Sequence, residues 1–159
     1  MNYKELPSQE RLKELFTYNP QTGDFIRNIR VAQQKPGTVA GSPGNGYIYI
    51  NVDGSKYRAH RLAWMYMNGE DPQELIVDHI NRDKTDNSYS NLRLATKKEN
   101  NINRGKKTKG YYYDKRYNQF YARIKVDGRA KFLGYYKTEA EATEAYERAA
   151  KALYGDFYQ

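Results

Sequence analysis

Asp78 and His79, side by side after the apolar run Leu75-Ile76-Val77, are the first residues of this chain to suggest chemistry. Neighbours in a strand point to opposite faces, so the pair can serve one site only if the strand ends or bulges there. The polar stretch Asn81-Arg82-Asp83-Lys84-Thr85-Asp86-Asn87-Ser88 that follows permits such an ending. A second cluster is Asn100, Asn101 and Asn103, inside a predicted helix. Asparagine costs a helix interior roughly 0.5 kcal/mol relative to alanine. Three together mean either a solvated helix end or positions chosen for something other than helix stability.

The elements that must position these residues fall into three stretches. The first, to about residue 58, opens with a short helix N-capped by Ser8, with Leu12, Leu15 and Phe16 on one face. The turn Asn19-Pro20-Gln21-Thr22-Gly23 and a glycine-rich loop through Gly37, Gly41, Gly44 and Gly46 follow. Tyr47 to Val52 reads as a strand, Asp53-Gly54 as a hairpin turn and Lys56-Tyr57-Arg58 as the returning strand. This stretch shows no chemistry of its own. In the second, a helix from Arg61 to Met67 ends before Gly69 and Pro72, and Leu92-Arg93-Leu94-Ala95 pairs back on the strand that ends at His79. Thr96 and Glu99 make a capping box for a helix from Lys97 to about Asn103. A basic linker, residues 105–109, leads to the third stretch. There Tyr111–Tyr113, Phe120–Val126 and Ala130–Tyr135 read as strands, with Asp127-Gly128 turning the last pair. A second capping box, Thr138 with Glu141, starts a helix whose face is Ala142, Ala145, Tyr146, Ala149, Ala152 and Leu153, and Gly155 reads as its stop.

Composition narrows the partners. The formal net charge is +8 over 159 residues, which points to a polyanion, either nucleic acid or an acidic membrane surface. There is no cysteine, so disulfides and thiolate zinc sites are excluded, and two histidines make a closed zinc site improbable. No apolar stretch has the length of a membrane span. The opening MNYKELPSQERLKE lacks an apolar signal core, so the expected location is a reducing cytoplasm, in a bacterium or a phage-infected host cell. Seventeen tyrosines suit a small core and a nucleic-acid surface equally.

The run Val77-Asp78-His79-Ile80-Asn81-Arg82-Asp83-Lys84-Thr85-Asp86-Asn87, then Ser90-Asn91-Leu92-Arg93-Leu94-Ala95-Thr96 and Glu99-Asn100, closely resembles phage and bacterial HNH endonucleases, including homing types. His60-Arg61-Leu62-Ala63-Trp64 and the Tyr18–Gly23 turn also look like that family, and the match covers most of residues 10–104. The resemblance implies two strands and a helix around one divalent metal. It implies His79 as the general base, Asp78 and Asn100 as metal ligands, and Asn91 as the asparagine that orients the histidine. Phosphodiester hydrolysis needs an activated water and charge stabilisation at phosphorus, which an imidazole and a hard cation with open positions supply. One carboxylate and one amide oxygen fit Mg²⁺ or Mn²⁺ better than zinc. Arg93, Lys97 and Lys98 are candidates for flanking phosphate contacts. His60 is expected to be a structural, hydrogen-bonding histidine, because the implied site is complete without it.

Charge in the third stretch is polarised. From residue 105 to 137 there are ten Lys or Arg and two Asp; from 138 to 159 there are two against five acidic residues. Basic strands backed by an acidic helix suit a sheet lying on DNA. Ala122, Ile124 and Val126 should face the helix, and Tyr121, Arg123 and Lys125 should face out. Residues 110–157 resemble the ethylene-response-factor (Apetala-two) type of DNA-binding domain, through Phe120–Lys125, Phe132-Leu133-Gly134-Tyr135-Tyr136 and the alanine-rich helix. That resemblance implies DNA contacts from Arg123, Lys125 and Phe132, and from Lys115 or Arg116. Ala130 and Lys131 depart from the family pattern, so its target sequence does not carry over.

The expected class is therefore α+β: a ββα-metal (HNH) nuclease core at about 75–104, with an N-terminal β-hairpin region in residues 1–104. A small three-stranded antiparallel sheet packed on one helix follows in 110–159. The expected activity is metal-dependent, site-directed hydrolysis of double-stranded DNA, by a monomer or homodimer with no membrane partner, no zinc and no small-molecule cofactor. The rivals are a DNA-binding regulator with an inactive nuclease site, and an RNase or nonspecific nuclease.

Overall fold

The computed structural model describes residues 4–104 and 109–158, and it divides into two compact units, residues 1–97 and 98–159. Residues 105–108 of the expected linker lie outside the described residues.

In the first unit, α1 (Gln9–Leu15) starts where the Ser8 hydroxyl accepts from the Arg11 amide, as a serine N-cap should. Three short strands, β1 (Phe16–Tyr18), β2 (Phe25–Arg27) and β3 (Val39–Ala40), form one antiparallel sheet in that order. A second antiparallel sheet joins β4 (Ser42–Gly44), β5 (Tyr47–Val52) and β6 (Ser55–Arg58). The turn between the last two is the anticipated Asp53-Gly54, both residues with positive φ, which matches the strand twist. Helix α2 (Ala59–Asn68) follows and ends at Gly69. Strands β7 (Ile76–His79) and β8 (Leu92–Ala95) then pair antiparallel.

The N-terminal region is thus more than a hairpin. Sequence reading places a turn and a loop across residues 19–46, where the structure has three strands of two or three residues each, β2, β3 and β4. Segments that short carry too few positions for alternation to register. One core serves the unit: Leu12, Phe25, Ile50, Val52 and Leu62 are fully buried. Val77 of β7 and Leu92 of β8 pack into the same cluster, so the strands that carry Asp78, His79 and Arg93 are anchored to it.

The second unit holds nearly all of α3 (Lys97–Asn103), then β9 (Tyr111–Asp114), β10 (Gln119–Val126), β11 (Arg129–Tyr136) and α4 (Glu139–Tyr154). The three strands form an antiparallel sheet with β10 in the centre. A bulge at Leu133 lets Ala122 pair with Gly134 and Arg123 with Phe132. Ala122 and Ile124 are buried while Arg123 and Lys125 are exposed, as alternation demands. Helix α4 opens with the full capping box of Thr138 and Glu141. Its buried stripe runs through Ala142, Ala145 and Ala150. Ala152 and Leu153, expected on that face, are exposed. Ala152 is off the stripe, and Leu153 lies in the last turn, where the Tyr154 hydroxyl donates to the Lys125 carbonyl. Gly155 is the C-cap that stops α4, as read, and it also opens a 3-10 turn over Gly155–Phe157.

Candidate active site

Strand β7 ends at His79, and the following loop is tied back at once. Ile80 N–H donates to the Asn91 carbonyl at 2.8 Å, and Asn81 N–H donates to Asn91 Oδ1 at 2.9 Å. Asn91 Nδ2 in turn donates to the Asp86 carbonyl at 2.8 Å. Within the loop, Asp83 accepts from both the amide and the hydroxyl of Thr85, and Asp86 from both of Ser88. These bonds hold both carboxyls below their ordinary range, so the loop keeps its acidic groups ionised and internally paired.

The loop delivers Asn87 to the catalytic candidate. His79 Nε2 lies 3.2 Å from Asn87 Oδ1, and both residues are buried. Asn87 Nδ2 donates to the Thr85 carbonyl, which fixes the amide so that its oxygen faces the ring. Nε2 therefore carries the proton of the neutral imidazole, and the lone pair sits on Nδ1. Burial pushes the His79 pKa below 6.5, against the opposing pull of Asn87, Asp78, Asp86 and Asp83. The ring is neutral at pH 7, as a general base must be.

The turn at residues 19–23 braces this arrangement from the other side. Tyr18 Oη donates to the Asn87 carbonyl at 2.7 Å, and Tyr89 N–H donates to the Pro20 carbonyl at 2.8 Å. Gly23, at φ 79°, lies so close that a Cβ there would meet the Asn87 carbonyl carbon at 2.3 Å and the Ser88 nitrogen at 2.5 Å. Only glycine fits both that conformation and that approach.

His60, on α2, packs its ring edge-on to His79 with centroids 4.7 Å apart. The expectation of a hydrogen-bonding structural histidine needs correction. His60 Nδ1 is buried without a hydrogen-bond partner among the described residues, and the ring makes aromatic contacts with His79 and Tyr47 instead. Burial, then the neighbouring His79, Arg58 and Arg61, push its pKa well below 6.5. It is a neutral wall for His79, which explains how an unpaired imidazole is tolerated.

The other anticipated residues are placed as follows. Asp78 and Arg93 face each other across β7 and β8, with Arg93 Nε 3.2 Å from Asp78 Oδ2 and both side chains largely buried. Arg93 is thus engaged with the anticipated metal ligand rather than displayed to solvent. Asn91 makes no hydrogen bond to the His79 ring; its hold on His79 runs through the loop it braces, while Asn87 makes the ring contact. Lys97 is exposed. In the second unit, Asn100 is half-buried on α3, and Lys98 is ion-paired to Asp127 at 2.8 Å. On the outer face of that unit's sheet Tyr121 stacks on Tyr112, and Arg123 lies over the Tyr112 ring at 4.4 Å. Phe132 is 56% exposed, Lys115 and Lys125 are exposed, and Arg116 pairs with Asp114 at 3.0 Å. Sequence reading missed Asn87, Tyr18 and Gly23 as parts of the site. The one available signal was that the Tyr18–Gly23 turn travels with the Asp78-His79 motif in the resemblance.

Among the described residues no group of three or more His, Cys, Asp or Glu side chains is arranged to hold a metal ion. Asp78, the buried carboxylate that precedes His79, is a hard oxygen donor of the kind Mg²⁺ or Mn²⁺ takes, and its ion pair with Arg93 would have to open to admit a cation. No helix among the described residues is long and apolar enough to cross a membrane.

Residues 57–102 match the family described as HNH endonuclease. Over 110 residues the chain is 30% identical to an uncharacterized HNH endonuclease, L560, of Acanthamoeba polyphaga mimivirus; the match covers 68% of this chain. The chain spans 59% of the length of that curated relative. Among solved structures, that of DNA binding and cleavage by the HNH homing endonuclease I-HmuI is similar at 20% identity with a TM-score of 0.46. It covers 96% of this chain and 84% of the other.

Proposed function

We propose that this chain, a member of the HNH endonuclease family through residues 57–102, hydrolyses DNA phosphodiester bonds in a metal-dependent reaction at the end of β7. The observation that carries the reading is the His79 ring, buried, neutral and held by Asn87 at Nε2 so that Nδ1 is the basic nitrogen, one residue after the carboxylate Asp78. His79 Nδ1 takes the proton of the attacking water. Asn87 holds the Nε2–H and stabilises the imidazolium that forms. Asn91 keeps the loop, and so Asn87, in place. Asp78 would hold one Mg²⁺ or Mn²⁺ ion. A divalent cation bound there supplies charge stabilisation for the phosphate and the departing 3′ oxygen.

The second unit supplies the hold on DNA in this proposal, with cutting directed to sites in the homing manner. Its basic sheet face, with Arg123, Lys125 and Phe132 exposed and an acidic helix behind, is what supports the ethylene-response-factor type of reading. The test is incubation with supercoiled plasmid. Nicked or linear product is expected with Mg²⁺ and none with excess chelator.

A second reading, a DNA-binding regulator that does not cut, is favoured by one observation, the Arg93 guanidinium already neutralising Asp78. Intact plasmid in every divalent metal, with DNA retained, would select it.

A further inference from the structure

Tyr47 opens β5 two residues before Tyr49, and Tyr49 pairs with Arg58 across the sheet. Alternation puts Tyr47, Tyr49 and Arg58 on one face, so the Arg58 side chain reaches diagonally to Tyr47. The Arg58 guanidinium lies over the Tyr47 ring, 4.4 Å from its centroid. Lys84, from the loop after His79, brings its ammonium to 4.9 Å from the centroid of the same ring. That ring also contacts both buried histidines, with centroids 5.4 Å from His60 and 6.3 Å from His79. Two cations from segments far apart in sequence are thus gathered on one aromatic ring next to the candidate base.

Like charges brought together in this way repel, and an anion relieves the repulsion. No carboxylate does so among the described residues, because neither Arg58 nor Lys84 has an ion pair there. Asp83 and Asp86 of the same loop stay ionised, but their oxygens are held by Thr85, Ser88 and Asn81, and neither is in ion-pair contact with Arg58 or Lys84. Arg58 is half-buried and Lys84 exposed, so the site is open to a large ligand, and Tyr47 of β5 forms its floor. Cation–π contact orients each group at low cost and leaves its hydrogen-bond donors available.

We infer that Arg58 and Lys84, seated on Tyr47, form a phosphate clamp that holds the DNA backbone beside His79. The inference rests on the nuclease reading. It adds two substrate-contacting residues from parts of the chain where the sequence shows no chemistry or only a polar loop.

The test uses the full chain and a short labelled duplex. Binding is measured in chelator across a salt series, and cleavage in Mg²⁺ over a range of duplex concentrations. Each lost phosphate contact should lower the log–log salt slope by roughly 0.9. Lys84→Gln and Arg58→Gln should each show that fall, with KM raised several-fold and kcat changed less. Lys84→Arg should restore both, and the double variant should lose about two contacts. Unchanged salt slopes in both single variants that remain folded by circular dichroism would overturn the clamp, whether or not the wild type cuts. Failure of the wild type to cut in any divalent metal would instead overturn the nuclease reading, with the salt slopes still deciding the clamp.

Discussion

Replacing Gly23 by alanine tests whether the N-terminal turn holds the catalytic loop. Two costs are distinguishable. At φ 79° an L-residue pays roughly 1–2 kcal/mol for left-handed backbone. The added Cβ would also meet Asn87 and Ser88 backbone at 2.3 and 2.5 Å, where neither neighbour is a side-chain end that can swing away. Overpacking of this kind costs about 1–3 kcal/mol. Gly37 is the control, because it has the same φ of 79° and nothing within 4 Å of a built Cβ. Gly37→Ala should therefore lose roughly 1–2 kcal/mol, and Gly23→Ala about 2–5 kcal/mol. In thermal melts each kcal/mol is worth roughly 4–8 °C for a unit of about 100 residues. The larger effect should be on rate. Pushing the Asn87 backbone away loosens its grip on His79 Nε2, and misplacement by about 1 Å can cost on the order of 10²-fold. Single-turnover cleavage well below both melting temperatures separates the effects. Equal melting temperatures and equal rates in the two variants would refute the argument that residue 23 props the loop.

Further outcomes are expected. The acid limb of the cleavage profile should lie below pH 6.5, because burial lowers the His79 pKa; Asn87→Ala removes a bond that raises it, so the limb should move lower still while the rate falls. His60, with its folded pKa well below 6.5, contributes stability that is complete above that value. As pH falls below about 6.5 the unfolded chain takes up the proton first, so urea midpoints should decline, by at most about 1.4 kcal/mol per pH unit for one group; His60→Phe should flatten the decline. Thr138→Ala should cost the second unit about 1 kcal/mol by removing one half of the capping box, read as a lower melting temperature. Arg123→Ala with Lys125→Ala should weaken duplex binding and flatten its salt dependence, whereas charge reversal at the exposed Glu144 and Glu147 should change binding much less. Glu141 is unsuitable for that control, because its carboxylate accepts from the Lys137 and Thr138 amides.

The elements legible in the sequence were those with a long pattern or a strong stop. The helix from Ser8, the Asp53-Gly54 and Asp127-Gly128 hairpins, the β7–β8 pair and the box at Thr138 all formed where their residues indicated. Strands of two or three residues were not legible, since their pairing is decided by the core around Phe25 and not by local alternation. The positions of Asp78 and His79 at a strand end were legible from the polar loop after them. The identity of the residue on the His79 ring was not. Asn87 and Asn91 are both buried asparagines of one loop, and only the fold shows which side chain turns toward the histidine. Arg93 read as a candidate phosphate contact because sequence does not reveal that its cross-strand partner is Asp78. The segment around Tyr47 and Arg58 read as inert for a similar reason: its relation to His79 and Lys84 exists only in three dimensions.

The central claim is that His79 is the base of a DNA-cutting reaction, and it is met most directly by the single-turnover cleavage rate of His79→Ala at saturating enzyme and Mg²⁺, with duplex affinity measured in parallel. A fall in rate of about 10²–10⁴-fold with affinity nearly unchanged is the predicted result. A variant that cuts at the wild-type rate would contradict the account.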